Sequence, residues 1–260
     1  MFNNLKVNAI IQARMTSSRL PGKVLYPLIG KPVLQHIIER LRESKYIDNV
    51  IVATTINQTD EPIIELCKKI DCLWFRGSEN NVLERVLETA HHFKTDLFVE
   101  ITADCPCICP SIVDDCIEKI GSRDYISNVI KRTYPRGLDV QVLPIQILER
   151  IFKEVDNDID KQHVTSWVYL NPKSYLSYNR YCLISNKQDY SNIRLTLDTE
   201  EDYKLIKFVY EAFRSNEFNY ADLVELIQYM PEMFNINKHI EQKSYYKELN
   251  QWYNENSKPL

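Results

Sequence analysis

Residues 7–34, VNAIIQARMTSSRLPGKVLYPLIGKPVL, decide how the rest of the chain is read. The opening VNAII is apolar, rich in β-branched side chains and bounded by polar residues, which predicts a buried strand. A polar loop follows it directly. Arg14, Arg19 and Lys23 fall within ten residues there, interleaved with Thr16, Ser17 and Ser18, before turns at Pro21-Gly22 and Gly30-Lys31-Pro32. Cations and hydroxyls gathered at a strand end suit a polyphosphate, because arginine forks and a lysine point charge match phosphate oxygens and offset their charge. A solvated basic loop with a tight turn has the same composition.

Outward from this stretch, residues 32–44 place Val33, Leu34, Ile37, Ile38 and Leu41 at helical spacing, with Pro32 suited to a first turn. NVIVAT, residues 49–54, is a second buried strand, and Thr59-Asp60-Glu61-Pro62 opens a helix through residue 70. Residues 72–75 make a short third strand. Strand, helix, strand, helix, strand is the pattern of a parallel sheet with helices on both faces. An amphipathic helix is expected over about residues 80–93, a strand over 97–101, a helix over 111–120 and a strand over 124–129. Helical period returns at 144–155, strands at 175–183 and 193–197, and helices at 200–215 and 220–230. Residues 231–260 are rich in Asn, Lys, Glu and Tyr and are expected to form a peripheral helix or tail, possible packing for a partner subunit.

Two carboxylates stand where ligands are usually held. Asp104 comes just past the carboxyl end of the 97–101 strand, the side on which open α/β sheets bind ligands. It could hold a hard cation such as Mg²⁺ that bridges to phosphates, or it could shape the turn before Pro110. Asp198 follows the 193–197 strand, with Thr199 placed to cap the next helix and Asp202 in its first turn, a pattern that capping alone explains. His91 and His92 end a helix, where they can interact with terminal carbonyls. Cys105, Cys107 and Cys109 lack the C-x₂-C spacing of a structural zinc site and read as small packed residues.

At 260 residues, 44% hydrophobic, the chain can bury a large core. A net charge of −4 gives general nucleic-acid binding no electrostatic support. No run approaches a membrane span, and the first residues lack a long hydrophobic region, so a soluble cytoplasmic protein without membrane insertion is expected. Seven cysteines, an odd number, fit reduced thiols better than a disulfide framework. With five glycines and no G-x-G-x-x-G or Walker A loop, the usual dinucleotide and P-loop signatures are absent.

IIQARMTSSRLPGK with the downstream GKPVLQHIIERL resembles the N-terminal signature of the sugar-activating cytidylyltransferases, above all the spore coat polysaccharide biosynthesis protein F family and the related CMP-KDO and acylneuraminate synthetases. Their A-R-x-x-S-x-R-L-P-G-K pattern runs here from Ala13 to Lys23. The resemblance implies a Rossmann-like nucleotide-diphospho-sugar transferase fold, an α/β architecture whose mostly parallel sheet is flanked by helices and carries a small antiparallel extension. It also implies that the loop wraps the triphosphate of CTP, with Ala13, Arg14, Ser18, Arg19 and Lys23 as the nucleotide-binding set. Gln12 stands where the KDO enzymes often have proline, which favours the spore coat branch.

Four later motifs keep the order of that family. Arg76-Gly77 with Arg85 follows its R-G-x-x-x-x-V-L-x-R segment, which lies beside the nucleotide. T-A-D-C-P at residues 102–106 implies Asp104 as a metal ligand. Tyr134 to Asp139 follow Y/F-P-x-G-L-D-V-E-V, although Gln141 replaces its glutamate, and residues 160–165 resemble E-x-E-H-V-T with Gln162 replacing an acid. These imply Arg136, Gly137, Asp139 and His163 as acceptor-binding residues, His163 as a contact more than as a base. Arg194 and Asp198 belong to a closing R-x-T-x-D-x-x-x-D motif that places Arg194 at the substrate and makes Asp198 the second metal ligand. The implied activity is attack of an acidic acceptor, a sugar acid or a phosphate or phosphonate, on the α-phosphorus of CTP with Mg²⁺, releasing pyrophosphate, in surface polysaccharide or glycoconjugate synthesis. Arg14, Arg19, Lys23, Asp104 and Asp198 would carry it. The resemblance covers residues 8–230, with residues 139–183 as the acceptor-binding and dimerisation region of a homodimer. A glycosyltransferase of the same fold would need an internal D-x-D, which is missing near residue 104, and a non-catalytic nucleotide-binding protein should tolerate loss of either aspartate.

Overall fold

The computed structural model describes residues 1–170 and 181–256. The chain begins with β1 (Val7–Gln12), then a two-stranded ribbon of β2 (Pro27–Leu28) and β3 (Lys31–Pro32), then α1 (Val33–Arg42). β4 (Asn49–Thr55), α2 (Glu61–Lys69), β5 (Leu73–Gly77), α3 (Val82–His92), β6 (Leu97–Thr102) and α4 (Pro110–Glu118) continue the alternation. β7 (Tyr125–Ser127), β8 (Gln141–Pro144), α5 (Ile145–Glu154), α6 (Asp158–His163), α7 (Ser166–Leu170) and β9 (Tyr181–Leu183) follow. α8 (Glu200–Phe213), α9 (Tyr220–Tyr229) and α10 (Tyr245–Asn256) end the described chain.

The main sheet runs β5-β4-β1-β6-β8-β7-β9. β1 pairs in parallel with β4 on one side and with β6 on the other, and β8 alone runs antiparallel to its neighbours β6 and β7. The chain therefore reverses direction across the sheet between β1 and β6, which opens a crevice at their carboxyl ends. The loop carrying Arg14 to Lys23 leaves one of these ends and Asp104 follows the other.

The apolar strand runs are explained by burial on two faces. Ala9, Ile11, Val50, Val52, Val99 and Ile101 pack with Leu34, Ile37, Ile38 and Leu41 of α1, while Ile10, Ile51, Ala53 and Phe98 pack with Leu83, Val86 and Ala90 of α3. Each such aliphatic side chain contributes about 1.5–3 kcal/mol on burial. Asn81 caps α3 by accepting from the backbone N–H of Glu84 at 3.0 Å, so the helix start is set by a side chain of the loop that precedes it.

One segment differs from expectation. Residues 193–197 form no strand of the sheet and make only an isolated parallel bridge, Arg194 to Arg136, among the described residues. They cross the carboxyl edge of the sheet, held by Arg136 N–H to Ile193 O (2.9 Å), Leu195 N–H to Arg136 O (2.7 Å) and Leu197 N–H to Asp104 O (2.8 Å). The extended run is stitched to two loops, which satisfies its backbone without a neighbouring strand. The strand expected over residues 175–183 lies partly outside the described residues, and its described end is β9. Among the described residues, no helix is long and apolar enough to cross a membrane.

Candidate active site

Gly22, at φ 74°, turns the β1 loop inward and starts a single 3₁₀ turn at Lys23, a left-handed step that suits glycine. The Lys23 side chain, 11% exposed, is thereby aimed into the crevice. Its ammonium donates to Leu197 O at 2.6 Å and to Asp198 Oδ1 at 2.8 Å, and lies 3.9 Å from Asp104 Oδ2. Arg19 Nη2 reaches Asp198 Oδ2 at 2.8 Å. Arg194 Nη2 lies 2.7 Å from the same oxygen and Nε is 2.9 Å from Asp202 Oδ1. Burial works against the charge of Asp198, but Lys23, Arg19 and Arg194 outweigh it and hold the carboxyl below the ordinary carboxylate range.

Asp104 and Asp198 thus meet from distant parts of the chain around one ammonium. Hard oxygen donors that already accommodate a cation fit Mg²⁺, which needs only one or two carboxylates when phosphates and water complete its shell. No three His, Cys, Asp or Glu side chains converge on a candidate metal position among the described residues. Asp202 is wholly buried and engaged in a capping box with Thr199.

Arg19, Lys23, Asp104 and Asp198 border a cavity of about 270 Å³, with Arg14, Ser17, Ser18 and Arg85 also lining it. Ala13 also lines it, held by its N–H to Ala53 O at 3.2 Å. Arg14, 45% exposed, stands 3.8 Å from Glu79. Asp60 anchors the loop, accepting from Met15 N–H at 2.7 Å and from Thr55 Oγ1 at 2.6 Å. Arg85 is 2% exposed and donates to Ser78 O, while its Nε has no partner. Burial pushes its pKa down to about 10, as expected for a guanidinium kept in the interior with no carboxylate paired to it among the described residues.

Arg76 is not brought to this cavity. Its guanidinium is committed to Thr55 O (2.8 Å), Glu61 (3.0 Å) and Asn57 O (2.7 Å), bracing the loop after β4. Gly77 acts through Arg85, since a Cβ there would lie 2.9 Å from Arg85 Cγ. Arg194 lines neither this cavity nor the next, and serves to hold Asp198 and Asp202.

A second cavity of about 550 Å³ adjoins the first and shares Gln12, Thr102, Asp104, Gln162, His163 and Lys243 with it. Arg136 and Asp139 border it, Asp139 being paired with Arg132 (Nη2 to Oδ2, 2.9 Å). Gly137, at φ 99°, is required by close approach, because a Cβ would sit 2.5 Å from the Leu195 carbonyl. His163 Nε2 lies 2.8 Å from Glu248 Oε2.

Glu100, 5% exposed, lines the same cavity and accepts from Gln12 (2.7 Å), Gln141 (2.9 Å) and Thr165. Burial pushes it up to about 7 against those hydrogen bonds. It has no place in the recognised motifs, yet a lone carboxylate inside the apolar LFVEIT is a sequence signal in itself. The C-terminal segment, expected as a peripheral helix or tail, contains α10 and also contributes Gln242, Lys243 and Tyr245 to the second cavity and Glu248 to the first. Its polar composition matches a polar cleft as well as it matches solvent. Cys105, Cys107 and Cys109 are buried and unbridged, and burial pushes Cys107 up to about 12, so these are inert packed thiols.

The family model described as cytidylyltransferase matches residues 8–249. The chain is 34% identical over 245 residues to the uncharacterized protein MJ1063 of Methanocaldococcus jannaschii, covering 93% of this chain and 98% of that protein. It is 31% identical over 233 residues to the spore coat polysaccharide biosynthesis protein SpsF of Bacillus subtilis, covering 86% and 94%. A solved cytidylyltransferase from Leptospira borgpetersenii superposes with a TM-score of 0.84 at 33% identity, over 93% of this chain and all of that one. A match across nearly the whole chain, on a sheet whose switch point gathers the loop cations and both aspartates, leaves one assignment: the chain belongs to the cytidylyltransferase family and is a CTP-dependent cytidylyltransferase.

Proposed function

We propose that the enzyme transfers CMP from CTP to a small acidic acceptor, releasing pyrophosphate, in the synthesis of a surface polysaccharide or glycoconjugate. The observation that carries this is the junction of two cavities at Asp104 and His163: one cavity is walled by the loop cations, the other by Arg136, Asp139 and Gln141. CTP occupies the first and the acceptor the second. An acceptor oxygen attacks the α-phosphorus, the bond to the β-phosphate breaks, and pyrophosphate leaves with the bonding electrons. Where the acceptor is a hydroxyl, its proton passes to solvent.

Arg14, Arg19 and Lys23 neutralise the triphosphate, and their charge is worth most on the leaving pyrophosphate, where negative charge develops. Arg85, already desolvated, adds a fixed cation to the same pocket. Asp104 and Asp198 would hold Mg²⁺, which when bound supplies further neutralisation at the phosphoryl oxygens. The acceptor side of a domain that spans 1–230 falls in residues 139–183, of which 171–180 lie outside the described residues, and the enzyme works as a soluble cytoplasmic homodimer, which sedimentation equilibrium tests.

The decisive experiment incubates the protein with each nucleoside triphosphate, Mg²⁺ and a panel of 2-keto-3-deoxy sugar acids, sugar phosphates and phosphonates, with pyrophosphate release as readout. CTP with an acidic acceptor is the expected pair. Preference for another base, or turnover of neutral sugars alone, overturns the proposal.

A further inference from the structure

The segment after α9 is tied directly to the machinery. Asn237, 1% exposed, donates to Asp202 Oδ1 at 2.7 Å and to Arg194 O at 3.0 Å. Gln242 Oε1 accepts from Arg194 Nη1 at 2.6 Å, and the Tyr245 hydroxyl donates to Asp160. Tyr245 also sets its ring edge-to-face with His163 at 5.5 Å. These contacts bring Gln242 to Tyr246 to the second cavity and Glu248 to the first. Within the segment, Lys243 is the residue that borders both cavities.

The ammonium of Lys243 is 3.9 Å from Glu248 with its side chain 57% exposed, a pairing too long and too wet to hold it. Arg136, on the same cavity, makes no ion pair among the described residues. Thr196, which also lines this cavity, keeps a buried hydroxyl without a hydrogen-bond partner among the described residues. Glu100, lining the same cavity, presents an acceptor group backed by Gln12 and Gln141. A cavity with two uncommitted cations, a free hydroxyl and a carboxyl suits a ligand that is anionic at one end and carries hydrogen-bond donors at the other.

We propose that the C-terminal segment is the wall that reads the acceptor, and that Lys243 with Arg136 holds the acceptor's carboxylate or phosphonate while Glu100 takes its hydroxyl or amino donors. This rests on the CMP-transfer reading above. At the border between the cavities, Lys243 also lowers the repulsion between two anions that must approach each other for reaction.

The test is calorimetry on the full-length protein, with CTP as one titrant and, on CMP-saturated protein, pyruvate and methylphosphonate as separate anionic probes. The wild type is expected to bind at least one probe, which distinguishes a carboxylate from a phosphonate site. K243A should weaken that binding at least fivefold, K243R should restore it, and K247A, an exposed charge on α10, should leave it unchanged. CTP affinity should stay within twofold throughout. Equal probe binding in K243A, loss of CTP affinity in its place, or no probe binding by the wild type overturns the assignment. Absence of CTP binding by the wild type overturns the underlying reading as well, and melting curves identify any variant that has not folded.

Discussion

Replacing Lys23 by alanine separates the fold from the chemistry at the centre of the site. Its ammonium has 11% side-chain exposure and touches Leu197 O, Asp198 and, at 3.9 Å, Asp104. Asp198 keeps Arg19 and Arg194 after the loss, so no uncompensated buried charge remains and the stability cost is that of one charged hydrogen bond, about 1.5–3 kcal/mol. For a chain of this size that corresponds to a fall in Tm of roughly 3–12 °C. A mostly desolvated cation facing a triphosphate is worth about 2–5 kcal/mol, so CTP affinity should fall at least about 30-fold. Calorimetry with CTP needs no acceptor and measures this directly. Arg19→Ala, at a side chain 29% exposed, should lower CTP affinity with less effect on Tm. The double variant should depart from additivity by about 0.5–3 kcal/mol, because both cations act on one charged group. A Lys23→Ala protein that melts lower but binds CTP within threefold of wild type would refute the phosphate role and leave Lys23 as a structural partner of Asp198.

Asp104→Asn and Asp198→Asn should each reduce pyrophosphate release about 100-fold or more, and near-normal turnover in a folded variant removes that residue from the metal site. Gly77→Ala, whose new Cβ would meet Arg85 Cγ at 2.9 Å, should cost about 1–3 kcal/mol and weaken CTP binding through Arg85; unchanged affinity in calorimetry would separate Arg85 from the nucleotide. Glu100 titrates at about 7 in the folded chain and near 4.5 unfolded, so the folded state binds more protons between those values and stability falls as pH rises through that window. Urea melts at pH 5 and pH 8 should lose part of that difference in Glu100→Gln. Asp198 acts with the opposite sign, since its depressed pKa gives stability that is present above about 3.9 and lost as pH falls below it; Asp198→Asn should flatten the acid side of the profile.

The parallel core was legible because its strands are buried on two faces and therefore run continuously apolar, and because α1 and α3 repeat their apolar positions at 3.6 residues. Residues 193–197 carry the same extended, apolar texture and still form no strand, since the neighbour that takes up their hydrogen bonds is a pair of loops. Arg76 and Arg85 are equally basic in sequence and nine residues apart. One is consumed by the loop after β4 and the other is folded into the nucleotide cavity, a difference set by which way each side chain leaves its element.

Sequence alone determined the α/β alternation, the cationic loop after β1, and the carboxylates at positions 104 and 198, because each is a local pattern of residue types along the chain. The tertiary structure decided that Lys23 stands between those two carboxylates, that Glu100 faces a cavity, and that Lys243 and Tyr245 line it. These depend on contacts between residues as much as 175 positions apart, and no local pattern encodes such a contact until the sheet's switch point and the returning C-terminal segment bring the side chains together.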